Sequence, residues 1–260
     1  IYNAFLTGKR PATYLFITLL GAFLLMLSLG ISPIVAIGGA IAVAFCSYNM
    51  QIIQVGHNTK MMAIAWLPWV LAAVIFTYRT ALSMFRVNAD ETPGSTSWKS
   101  WLPQTVLGAS LFGMALNFQI KANHIQISYY LAIIIFCYAI GLFIWLVADK
   151  ERRHGIAKFF AASALLLTIG IIGIGANANK LIPTYNYSKH TMRGGSELAV
   201  ESSENSGKTK GLDLDYATAW SYGWQELPNM MIPDFNGGAS SGAVNYSKSE
   251  TIKLLKQYGQ

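Results

Sequence analysis

The chain has 260 residues, 53% of them hydrophobic and only 12% charged, with a formal net charge of +7. Soluble domains carry a charged share of about 25%, so a water-soluble globular protein is excluded, and basic residues scattered among apolar runs do not build a nucleic-acid surface. What remains is a membrane protein whose positive charge suits anionic lipids or anionic substrates.

A membrane-crossing helix needs roughly 17–25 mostly apolar residues. In chain order the apolar runs predict spans at about 13–29, 33–54, 61–78, 103–120, 127–147 and 157–176. Gly30, Ser32 and Pro33 punctuate the first two as a tight turn. The second is the weakest, because Ser47, Tyr48, Asn49 and Gln51 make its far end polar. Pro68 predicts a kink in the third, tolerated where neighbours satisfy the freed carbonyl. Small residues at Gly38, Gly39 and Ala42, and at Gly170, Gly173 and Gly175, predict close helix packing. Cys46 and Cys137 lie inside apolar runs and act as small hydrophobes, with no disulfide framework. The first run follows a polar start and lacks a cleavage-type exit, so it is not a signal peptide.

The fold expected is an all-α polytopic membrane protein of about six transmembrane helices over 1–177. A partial extracytoplasmic region, α/β or irregular, follows over 178–260. The chain starts at Ile1 and stops soon after an amphipathic stretch, which reads as a piece of a longer polypeptide. Lys and Arg in short loops set orientation. Arg79, Arg86, Lys99, Lys150, Arg152, Arg153 and Lys158 outnumber Lys9, Arg10, Lys60 and Lys121 on the opposite side. That bias puts both termini, and everything after about Asn177, outside the cytoplasm.

Two polar clusters then share the outer side: Gly56 to Lys60, and Lys121 to Gln126. Ionisable groups at a span edge are functional candidates by default. His57 and Lys60 are spaced i, i+3; Asn117, Lys121 and His124 are spaced i, i+4, i+7 and share a face if the fourth span runs helically to its end. Asn58, Asn123 and Gln126 supply polar support, and Gln119 flanks the second cluster. The plainer alternative is that the lysines snorkel to the headgroup layer. Further on, Tyr185, Lys189 and Arg193 repeat a helical spacing, and Arg193 precedes Gly194 and Gly195, where backbone can approach a ligand. Arg suits bidentate phosphate binding and Lys acts as a compact charge. His57, Lys60, Lys121, His124 and Arg193 thus form a candidate anion-binding rim, with a non-selective juxtamembrane basic stretch as the alternative.

Asp213 and Asp215 are weak candidates for a catalytic carboxylate. They precede Tyr216, Trp220, Tyr222 and Trp224, aromatics suited to stacking on a sugar or to anchoring at the interface. No cofactor motif is present; a Cys/His zinc array, a Gly-rich phosphate loop and a Gly-x-Ser-x-Gly elbow are missing, and a divalent metal is left open. Asn186 and Asn245 open Asn-Tyr-Ser glycosylation patterns that carry meaning only with a known source.

Five ordered motifs carry a resemblance over most of the chain. They are Gly-His-Asn-Thr-Lys with the following Trp-Leu-Pro-Trp, then Asn-His-Ile-Gln-Ile-Ser-Tyr-Tyr-Leu, then Met-Arg-Gly-Gly-Ser-Glu-Leu. Leu-Asp-Leu-Asp-Tyr-Ala-Thr-Ala-Trp-Ser-Tyr-Gly and Ile-Pro-Asp-Phe-Asn-Gly-Gly-Ala-Ser complete the set. Together they resemble the bacterial YfhO-type membrane proteins, in a form close to that of Bacteroidetes. The resemblance implies a GT-C glycosyltransferase architecture in the bacterial inner membrane. Such an enzyme moves a sugar from a polyprenyl-phosphate carrier to an extracytoplasmic envelope acceptor. It also implies a catalytic acid in the first extracytoplasmic loop, which would precede Ile1, so the catalytic residue is unknown here. Two other classes remain beside it: a transporter or flippase of lipid-linked glycans, and a non-catalytic membrane anchor for envelope assembly.

Overall fold

The computed structural model describes residues 11–82, 98–188 and 223–232, together with positions 218, 221, 235 and 257. Among these residues the structure is helical and holds no strand. Eight α-helices run in order: α1 Ala12–Ser28, α2 Pro33–Ala44, α3 Ser47–Gln54, α4 Asn58–Ala81, α5 Trp98–Lys121, α6 Ile125–Ala148, α7 Ile156–Gly175 and α8 Ala178–Ser188. Short 3₁₀ turns cover Lys150–Gly155 and Trp224–Met230.

Four stretches are long and apolar enough to cross a bilayer: Pro33–Gln54, Asn58–Ala81, Ile125–Ala148 and Lys150–Gly175. The chain is therefore a multi-pass helical membrane protein. α1 is equally apolar but has 17 residues. α5 is long enough at 24 residues, yet it carries lysines, glutamines and an asparagine along its length.

Each boundary has a local cause. Gly30, at φ +86°, turns the chain after α1, and Pro33 opens α2, where a missing N–H costs nothing. The expected second span is interrupted: α2 ends at Ala44 and α3 starts at Ser47, with Cys46 in an extended conformation between them. The amide of Asn49 closes the break, its Nδ2 donating to the carbonyls of Val43 at 2.9 Å and Ala44 at 3.2 Å. Unsatisfied carbonyls inside a bilayer are expensive, so a side-chain donor is what makes an interruption tolerable there. Pro68 leaves α4 a single helix from Asn58 to Ala81.

α4 is the central helix. Ala63, Ala65 and Val70 on it have no solvent exposure, and it packs against both α1 and α5. Contact is close because small residues face bulky ones. A Cβ at Gly21 would collide with the Trp69 ring, and one at Gly108 would stand 2.6 Å from Thr77 Oγ1. Trp69 also donates through Nε1 to the Ile17 carbonyl at 2.8 Å, locking α1 to α4. α5 meets α7 through Gly113 and Gly173, where a Cβ at Gly173 would stand 3.2 Å from the Gly113 carbonyl oxygen. The predicted small-residue packing holds at Gly39, Gly170 and Gly173, whereas Gly38 and Gly175 meet open space. α6 stands apart: Ile133, Phe136, Ile140 and Ile144 are exposed along it. A helix apolar on all sides yet poorly covered by protein is suited to lipid.

Inter-helix bonds sort the helix ends into two groups. Tyr14 OH donates to Asn58 Oδ1 at 3.1 Å, and Asn177 joins Asn117, which gathers the start of α1, the start of α4, the end of α5 and the end of α7. At the opposite end Arg79 donates to the Ser28 carbonyl at 2.6 Å, and Gly155 sits under Leu82 and Leu146.

Candidate functional site

The first end holds both polar clusters. Gly56 reaches φ +81°, a conformation open to glycine, and swings the chain from α3 into α4. His57 is the N-cap of α4, and Lys60 lies in its first turn. α5 ends at Lys121, Asn123 takes φ +56°, and His124 becomes the N-cap of α6. This corrects one expectation. Asn117, Lys121 and His124 do not share one helical face, because the chain reverses at Asn123 and His124 belongs to the start of the next helix.

The reversal brings the clusters together by another route. Two helix starts, α4 and α6, lie at the same end, capped by His57 and His124. Neither histidine side chain makes a cap bond, so first-turn N–H groups remain to be satisfied by solvent or ligand. His124 lies just outside its span and titrates below the ordinary histidine range. Burial is the main cause, followed by the positive charges of Lys60 and His57. Lys60 places its ammonium 5.2 Å from the centre of the Tyr48 ring, a cation–π contact that holds the amine beside α3.

The expected polar supports serve mainly to join helices. Asn117 Oδ1 accepts from Asn177 Nδ2 at 2.8 Å. Asn58 accepts from Tyr14. Asn123 Nδ2 donates to Thr184 Oγ1 at 3.3 Å, and Gln126 Nε2 donates to Tyr130 OH at 2.8 Å. Lys180 Nζ donates to the Lys121 carbonyl at 3.2 Å, capping the end of α5. α8 therefore straps the 121–124 reversal in place.

Gln119, expected only to flank the second cluster, turns inward. It lies in the last turn of α5 with no solvent exposure. Its Oε1 accepts from Ser128 Oγ at 3.0 Å, while its Nε2 is buried without a hydrogen-bond partner. Such an orphaned donor costs about 1–3 kcal/mol. A glutamine beside a lysine at a span end reads as solvent-facing in the sequence, and only its inward rotation reveals it.

The 3₁₀ turn Trp224–Met230 lies beside α3, with Ser47 Oγ donating to the Met231 carbonyl at 2.8 Å and Gln51 Nε2 to the Asn229 carbonyl at 3.4 Å. Trp224 is 90% exposed. Arg193, Asp213, Asp215, Tyr216, Trp220 and Tyr222 lie outside the described residues. Among the described residues no three His, Cys, Asp or Glu side chains gather as a metal site, and the one ion pair, Arg152 with Asp149, is at the opposite end. A separate apolar cavity of about 410 Å³ lies between α1, α4 and α5, lined by Leu24, Trp69, Phe76, Leu111 and Met114 among others.

The arrangement gathers cations, amide donors and helix starts at one end of a membrane bundle. Chemically it can bind an anion or an oxygen-rich headgroup. No protein-family model, curated protein or solved structure matches the chain.

Proposed function

We propose that this chain is the membrane segment of a GT-C-type transferase resembling the YfhO-type proteins. In this reading six helical passes place the clustered end outside the cytoplasm of a bacterial inner membrane, where a polyprenyl-phosphate-linked sugar presents its phosphate. The observation that carries it is the convergence of His57 and Lys60 with His124 at two helix starts. Lys60 and Lys121 supply fixed charge. His124, held largely neutral by its surroundings, can donate one hydrogen bond and gain a proton as the phosphate approaches. Arg193, in the outer tract, is a further candidate for binding the phosphate. Donors preorganised around the phosphate would stabilise the charge that develops as the sugar leaves it for an acceptor hydroxyl. The general base comes from elsewhere in the protein, with Asp213 and Asp215 as candidates for acceptor binding.

The test is in the full-length protein. Lys121→Ala and Arg193→Ala should each lower affinity for polyprenyl phosphate and sugar transfer from the carrier. Unchanged affinity and turnover in both variants would sink the assignment.

One observation favours a second reading. The interruption between α2 and α3, sealed by Asn49, is the kind of broken helix that lines substrate paths in transporters. A flippase would move labelled carrier across proteoliposome membranes without consuming the sugar bond, and a transferase would not.

A further inference from the structure

Gln119 connects the charged end to the interior. Ser128, its partner, lies in the first turn of α6, and the Ser128 backbone N–H bonds the His124 carbonyl at 3.4 Å. The bond also sets which face of the amide is available. The serine hydroxyl is donated to Oε1, so Gln119 offers an N–H to its surroundings. That donor sits two residues before Lys121 and behind the helix start that His124 caps. A leucine or methionine would fill the same volume without the orphaned N–H, leaving only the partly exposed Ser128 hydroxyl to find another acceptor, so the amide is hard to explain as core packing alone.

We propose that Gln119 is the innermost binding residue of the phosphate site, its Nε2 donating to a phosphoryl oxygen of a bound phosphate ester. The inference rests on the carrier-phosphate reading and deepens it. The ligand reaches the amide by parting the start of α6 from the end of α5, where the Ser128–Gln119 bond joins them. That movement is accessible because α6 packs on α4 and α5 far more sparsely than α4 and α5 pack on each other. The charged rim attracts any anion, whereas an N–H closed to solvent selects a ligand that can follow it inward. Gln119 would therefore separate a phosphate ester, with several acceptor oxygens, from a simple surface counter-ion.

The experiment compares wild type, Gln119→Leu and Gln119→Glu in the full-length protein purified in detergent. Equilibrium binding is measured with a short-chain polyprenyl phosphate, the matching polyprenol and inorganic phosphate. Gln119→Leu should weaken polyprenyl phosphate binding roughly tenfold, with thermal stability equal to or above wild type. Gln119→Glu, the same shape with an acceptor and a negative charge, should weaken it further. Wild-type affinity in Gln119→Leu would overturn the role of Gln119 and leave the carrier reading standing. If wild type binds inorganic phosphate but prefers no lipid-linked form, the carrier reading fails; a tenfold loss of phosphate binding in Gln119→Leu would then still support the donor. Wild-type binding of neither phosphate, or of polyprenol as tightly as its phosphate, overturns both.

Discussion

The two ends of the bundle carry similar residues in opposite circumstances. At the Arg79 end three arginines have fixed partners. Arg79 caps the end of α1 through the Ser28 carbonyl, and Arg153 Nε bonds the Val147 carbonyl at 3.0 Å at the end of α6. Arg152 pairs with Asp149 at 3.2 Å and lies 4.2 Å from the Trp145 ring. These are cations at helix C-termini, where the dipole and the free carbonyls welcome them. At the other end His57, Lys60 and His124 stand at helix N-termini, where the like partial charge makes the Lys60 ammonium an unfavourable neighbour, and no described acid pairs with them. Basic residues placed against the dipole contribute little to folding, so an anionic ligand gives their position a reason.

That contrast can be broken most sharply by paired substitution. Lys60→Ala combined with Lys121→Ala should cost about a hundredfold in affinity for polyprenyl phosphate, since hydrogen bonds to charged groups are the strong ones. Arg152→Ala at the opposite end should leave affinity unchanged in the same titration. The reverse pattern belongs to stability. Arg79→Ala should lower unfolding stability by about 1–3 kcal/mol in detergent while binding persists.

Asn177→Leu probes the join between the ends of α5 and α7 rather than the rim. It removes the bond to Asn117 and should cost about 0.6–1.7 kcal/mol, in the range for polar contacts between membrane helices. A modest loss of carrier affinity should accompany it, because the end of α5 positions Lys121. Loss of stability with no change in affinity would show that this join and the site are independent.

The smallest expected effect is in pH. The folded protein holds His124 below its ordinary value, so its contribution to stability is present above the unfolded pKa and is lost as pH falls through the folded one. A bound anion opposes that shift, so binding takes up a proton. Carrier affinity should rise several-fold from about pH 8 to about pH 6, and His124→Gln should flatten the profile.

The long apolar runs made the helices readable in advance, because length and hydropathy are the signals a bilayer imposes. The two clusters were equally visible as polar interruptions. Three features were not. The break before Ser47 has no glycine or proline at Phe45 or Cys46, and Asn49 reveals itself as a cap only once the helix is interrupted. The Asn117–Lys121–His124 spacing presumes a continuous helix, and Asn123 takes a left-handed conformation that asparagine tolerates but does not announce. Gln119 differs from a snorkelling glutamine only by the direction of its side chain, which depends on how α4, α5 and α6 pack.

In the proposed reading the Gly56–Lys60 and Lys121–His124 clusters form one carrier-phosphate site facing outward. The most direct test places a cysteine at Thr59, an exposed position beside Lys60, after Cys46 and Cys137 are replaced by serine. A membrane-impermeant maleimide is then applied to intact spheroplasts with and without added polyprenyl phosphate. Labelling from outside should be rapid, and slowed by polyprenyl phosphate but not by polyprenol. Labelling only after permeabilisation, or at a rate indifferent to the carrier, would contradict that reading.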